Sequence, residues 1–190
     1  MPVVVHSAAI SVENLVFASM TDEALGTYGT VTPISPLINI KVTPSSSSDV
    51  LYADGRAVES VTSIGSVGVE FEIQNFPLSV QAVLLGHDLD PITGVMTHSA
   101  GDIAPYVALG FKIKKANGKY RSIWLLKGNF EEPSDEAVTQ ADKVTFSTPK
   151  IKGSFITRAD GNWKFTADGD EGTTPPADFL GTVYKPAPII

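Results

Sequence analysis

Residues 106–130 read YVALGFKIKKANGKYRSIWLLKGNF, and the fold turns on how this stretch is read. Val107, Leu109, Phe111 and Ile113 recur at every second position, the period of a strand with one apolar face. Asn117-Gly118 follows, a dipeptide that accepts the positive φ angles of a two-residue hairpin turn. On the return, Ile123 to Leu126 is apolar at four successive positions, which predicts a strand covered on both faces. The stretch is therefore read as a β-hairpin at the centre of a sheet.

Working outward, the same alternation recurs. Ile38, Ile40 and Val42 share one face of INIKV, and Val67, Val69, Phe71 and Ile73 share one face of VGVEFEI, with Glu70 and Glu72 opposite. Further strands are expected at KVTFSTP (143–149) and KIKGSFITR (150–158), with weaker ones at WKF (163–165) and FLGTVY (179–184). Two segments carry helical signals. FPLSVQAVLLG (about 76–86) has Pro77 for the first turn, Gly86 for the stop and only Ser79 and Gln81 polar, which predicts a nearly buried helix. PSDEAVTQAD offers Ser134 as an N-cap with acids behind it, giving a short helix at about 134–141. The expected architecture is mainly β: a β-sandwich with one flanking helix, forming a single domain over 1–190 with a C-terminal tail from about 167.

One segment does not fit a core. TPSSSSDVLYADGRAVES (43–60) opens with a serine run that buries almost nothing, then presents Val50, Leu51 and Tyr52. From about 43 to 66 it reads as a long extended arm, its serines giving flexible reach and its apolar residues a foothold.

Composition narrows the function. With 43% hydrophobic and 18% charged residues the chain is expected to fold, and no apolar run approaches the ~18 residues of a membrane span. MPVVVHSAAI has no basic segment before its apolar patch, so a signal peptide is not expected. There is no cysteine, which removes disulfides, thiol catalysis and thiolate metal sites. A net charge of −7 argues against tight binding of nucleic acid. The one basic cluster, Lys112, Lys114, Lys115, Lys119 and Arg121, reads as a solvated hairpin tip.

Motifs that would carry chemistry are scarce. There is no phosphate-binding loop, no GxGxxG and no GxSxG. His87, Asp88, Asp90 and His98 read as a surface turn rather than a metal site, and ADGDEGTTPP (167–176), with Asp168, Asp170 and Glu171, departs from calcium-loop spacing. Glu131 and Glu132 are adjacent on a strand and point to opposite faces, so they do not form a glycosidase pair. No catalytic, cofactor-binding or metal-ligating residue is expected, and the chain is read as not an enzyme.

Four strings in one order carry a resemblance: ENLVFASMTDEALGTYGTV (13–31), VLYADGRAVES (50–60), VGVEFEIQNFPLSVQAVLLGHDLD (67–90), and residues 105–155 from PYVALGF to KIKGSF. Together they resemble the major tail protein, or tail-tube protein, of long-tailed bacteriophages. The resemblance implies a β-sandwich with a flanking helix whose copies close into rings, typically hexameric, and stack into a tube through which DNA passes without tight binding. It implies a place in the virion tail, the bacterial cytoplasm before assembly, and tail-terminator, initiator or distal-tail and tape-measure partners. The C-terminal immunoglobulin-like domain of some relatives is not expected in a chain that stops at YKPAPII. On this reading Val50, Leu51, Tyr52, Asp54 and Arg56 form an inter-subunit arm, and Glu70 and Glu72 are candidates for an acidic lumen that repels phosphate. Two other readings stand beside it. One is the inner tube of a contractile-tail or type VI secretion system. The other is a monomeric carbohydrate-binding β-sandwich using Tyr106, Tyr120 and Trp124 as an aromatic platform.

Overall fold

A computed structural model describes residues 7–135, 139, 146–171 and 178–186. Its elements are β1 (Ala9–Asp22), β2 (Thr27–Tyr28), β3 (Thr32–Pro33), β4 (Leu37–Ala53), β5 (Arg56–Ile73), α1 (Leu78–Leu85), β6 (Asp88–Leu89), β7 (Met96–Thr97), β8 (Val107–Lys115), β9 (Tyr120–Phe130), β10 (Lys150–Phe155) and β11 (Lys164–Asp168). The fold is mainly β, as expected. Nine strands form one antiparallel sheet in the order β2-β1-β8-β9-β10-β5-β4, with β3 added to β1 and β11 to β9.

The central hairpin forms as read. β8 and β9 pair around Asn117-Gly118, with Lys114 opposite Tyr120 and Leu109 opposite Leu125. β9 then uses its far edge twice: Arg121–Leu125 pairs with β11, and Gly128–Phe130 pairs with β10. The sheet curls. Leu15 and Phe17 of β1 and Val67, Val69, Phe71 and Ile73 of β5, near opposite ends of the strand order, share one core cluster with Leu109, Phe111, Leu125 and Phe155. The curled sheet thus folds over on itself in sandwich fashion, and α1 adds Val80, Leu84 and Leu85 to the same core.

The doubly apolar run in β9 has the explanation expected of it. Ile123 and Leu125 face this core, while Trp124 and Leu126 face a second cluster with Ala108, Phe179 and Leu180. Trp124 is fully buried, and its indole Nε1 donates to the Phe179 carbonyl at 2.7 Å. Gly110 lies beneath it on β8. A Cβ there would stand 2.8 Å from the indole ring, so only glycine lets the tryptophan lie flat on the neighbouring strand.

Several expectations need correction. Ile38 does not join Ile40 and Val42, because the register slips between Leu37 and Asn39 and turns Ile38 outward, 49% exposed. The helix over 76–86 is present at Leu78–Leu85 and stops at Gly86, but it is only half-buried, with Leu78 and Val83 facing out. The FLGTVY segment is a turn, not a strand; it serves as a lid, with Phe179 and Leu180 on Trp124. Within KVTFSTP, residues 146–149 are irregular and 143–145 lie outside the described residues, as does most of the helix expected at 134–141.

Candidate functional site

The arm is ordered as β structure, which corrects the reading of its serines as flexible. β4 and β5 form one hairpin with Ser46 opposite Ile64, Ser48 opposite Thr62, Val50 opposite Ser60 and Ala53 opposite Arg56. The serines hold the ribbon together from the side: the hydroxyls of Ser47 and Ser63 lie 2.9 Å apart, and those of Ser48 and Ser60 lie 3.2 Å apart. Such polar cross-strand pairs suit a ribbon that is wet on both sides. At the tip, Asp54 and Gly55 have φ of 50° and 73°, the pair of positive angles that a two-residue turn of the primed type requires. Asp-Gly was the signal that could have identified the hairpin in the sequence.

β10 pairs with β5 only over Val67–Glu72, so the outer part of the hairpin stands clear of the sheet. Every residue from 43 to 66 is exposed. Eleven residues of β5 outside that pairing, at ~3.3 Å each, give a projection of roughly 35 Å. Alternation places Val50, Tyr52 and Ile64 on one face, and Leu51 and Val61 on the other, beside Asp49 and Glu59. Leu51 and Tyr52 are 60% and 68% exposed. Asp54 and Arg56 sit at the tip, and among the described residues neither has a side-chain partner. β4 is also the last strand of the sheet, so its outer edge is unpaired within the described residues. The structure therefore brings Val50, Leu51, Tyr52, Asp54 and Arg56 together at one end of a single projecting element.

Glu70 and Glu72 do share the outward face of β5, but lysines flank them. Glu70 stands in register between Lys41 and Lys152 on the neighbouring strands. Glu72 accepts hydrogen bonds from Thr148 and from Asn39 Nδ2, the latter at 2.6 Å, and these hold its pKa below the ordinary glutamate value. The face is mixed in charge rather than acidic.

At the rim of the central hairpin Lys114, Lys119 and Arg121 are about half-exposed, as a solvated tip requires, but one lysine is not. Lys115 is buried, its ammonium donating to Asp168 and, at 2.6 Å, to Asp170. Arg121 Nε reaches the other oxygen of Asp168 at 2.7 Å, and Asn117 Nδ2 reaches Asp170 at 2.7 Å. Burial opposes ionisation of Asp168, but the bonds from Lys115, the Asp170 backbone and Arg121 outweigh it and push its pKa down to about 2. The hydrogen bond from Lys115 likewise depresses Asp170. Asp168 and Asp170 are thus taken up by internal cations, and residues 168–170 anchor the chain to the central hairpin.

His87 has partners remote from its own turn. Its Nδ1 lies 2.7 Å from Asp102 Oδ2 and its Nε2 lies 2.9 Å from Glu132 Oε2. His98 lies beside it, ring centres 4.2 Å apart and planes tilted by 53°, with its Nδ1 3.4 Å from the other Glu132 oxygen. The bond to Asp102, supported by Glu132, raises the pKa of His87 against the opposing effect of burial. Asp88 and Asp90, the sequence neighbours, take no part: Asp90 bonds Ile92 and Thr93 within its own turn. Glu131 and Glu132 are not on a strand as expected but follow the end of β9, Glu131 lining the groove with Lys41 and Lys152 and Glu132 reaching His87. The missed signal is register. With Asp88 opposite Thr97 and Leu89 opposite Met96, the next pair outward is His87 with His98.

The aromatic platform does not form. Trp124 is buried, and Tyr106 and Tyr120 lie at opposite ends of β8–β9. No family model matches the chain, and no curated protein matches it.

Proposed function

We propose that this chain is a self-assembling structural subunit of the tail-tube kind, whose identical copies close into rings and stack into a conduit for DNA. The observation that carries the reading is the β4–β5 hairpin. A two-stranded ribbon is marginal in water by itself, and this one exposes apolar side chains on both faces and, among the described residues, an unpaired strand edge. Both deficits are removed by neighbouring copies of the same chain. Val50, Leu51, Tyr52, Val58, Val61 and Ile64 would pack on the adjacent subunit, Asp54 and Arg56 would make polar contacts at its far end, and the β4 edge would extend the sheet across the interface. The net charge of −7 supports passage of DNA without capture, although Glu70 and Glu72 supply no acidic stripe by themselves. Terminator, initiator and tape-measure proteins would cap and fill such a tube.

The test is negative-stain electron microscopy over a concentration series, comparing the intact chain with one in which residues 46–64 are replaced by a two-residue Asn-Gly turn. Rings or tubes from the intact chain, absent from the shortened chain while its melting transition persists, are the expected result. Tubes from both would remove the arm from the mechanism. Monomers at every concentration, with and without tail-tip complexes as nuclei, would reject the tube.

A further inference from the structure

The His87 cluster is not used by the tube reading, and its geometry has a chemistry of its own. One imidazole nitrogen each from His87 and His98 and a carboxylate oxygen of Glu132 all lie within 4.8 Å of one another. Around a zinc ion with bonds of about 2.0–2.1 Å, tetrahedral ligand atoms stand roughly 3.3 Å apart. His87 Nε2 lies 2.9 Å from one oxygen of Glu132 and His98 Nδ1 lies 3.4 Å from the other, both close to that spacing. A metal histidine also needs its second nitrogen engaged, which fixes the ring and aims the first. Asp102 does this for His87, accepting from Nδ1 at 2.7 Å while the Ser99 backbone N–H holds the same oxygen at 2.9 Å.

Exposure is graded as an open site requires. The His87 side chain is 7% exposed, whereas His98 and Glu132 are half-exposed, so one side is anchored and the other reaches solvent. Both nitrogens of His87 face carboxylate oxygens, so either a ring proton or a metal cation must stand between Nε2 and Glu132. A dication at Nε2 fills that place and gains His98 as a further ligand.

We propose that His87, His98 and Glu132 bind one zinc-class transition-metal ion, with Asp102 positioning His87 and water completing the coordination. Two imidazoles and one carboxylate suit Zn²⁺ or Co²⁺ and poorly suit Ca²⁺ or Mg²⁺, which take oxygen ligands. The ion would pin three segments: the end of α1, the close of the β6–β7 hairpin and the chain leaving β9. Its role is structural, and it stands whether or not the chain forms tubes.

The experiment uses the full chain, untagged and stripped of metal, titrated with Zn²⁺ by calorimetry and with Co²⁺ by visible absorption. One ion per chain is expected, with a rise in melting temperature. His98→Ala should weaken Zn²⁺ at least ~10-fold, and Asp102→Asn ~10–100-fold, the range for an orienting partner. Glu132→Gln, a change at a half-exposed position, gives a second reading if His98→Ala folds poorly. Failure of the intact chain to bind one Zn²⁺, or unchanged affinity in both His98→Ala and Glu132→Gln, overturns the site.

Discussion

The two halves of β5 are built from the same kind of sequence and meet opposite fates. In the inner half, Val67, Val69, Phe71 and Ile73 are each no more than 2% exposed, packed between β10, β4 and the core. In the outer half, Val58, Val61 and Ile64 are 45–63% exposed, with β4 as the only pairing partner among the described residues. Alternation makes both halves strand. Among the described residues, only the inner half has layers above it to remove its apolar face from water. The contrast teaches that the outer half is a strand with no covering layer among the described residues, and it is why the hairpin, not a cleft, is the candidate functional element.

The comparison can be broken or sharpened by experiment. The largest effect is expected in the inner half. Phe71→Ala, which removes a fully buried ring packed edge-on to Phe130 at 5.6 Å, should cost about 3–5 kcal/mol in urea unfolding. A cost below about 1 kcal/mol would mean that the two halves do not differ as described.

An intermediate effect is expected at the anchored rim. The pKa of Asp168 is about 2 when folded against an ordinary 3.8, so its contribution to stability is fully present above about pH 4 and lost as pH falls through about 2. Asp168→Asn should therefore melt well below the unsubstituted chain at pH 7, with the gap closing as pH approaches 2. Melting curves at pH 7, 4 and 2.5 check this, and a gap independent of pH would contradict it.

The smallest effect on stability belongs to the arm. Replacing Leu51 and Tyr52 by Ser should change the unfolding free energy by less than about 0.5 kcal/mol, because both side chains are already in water. The same change should abolish ring formation in sedimentation and microscopy. A large loss of monomer stability would show that these side chains are covered within their own chain.

Much of this was legible from the residues. The 106–130 hairpin, the alternation of 67–73, the two-faced burial of Ile123 to Leu126 and the helix ending at Gly86 follow from periodicity and turn chemistry, which act over a few residues. The arm's place was legible as well, but its state was not. Serine favours turns and local bonds when considered alone, and here it is held as strand by hydroxyls 12 and 16 residues away. The slip that exposes Ile38 was equally hidden, since one inserted residue inverts a face without altering the composition.

By itself, then, the sequence determined where strands run, where they turn and that one apolar segment has no obvious home in a core. Only the tertiary structure decided what each side chain meets. Lys115 became buried because Asp168 and Asp170 arrive from more than 50 residues away, and His87 found Asp102 and Glu132 at separations of 15 and 45. Backbone preference is set by neighbours along the chain, whereas charge pairing and burial are set by neighbours in space, and β pairing brings those together across loops of any length.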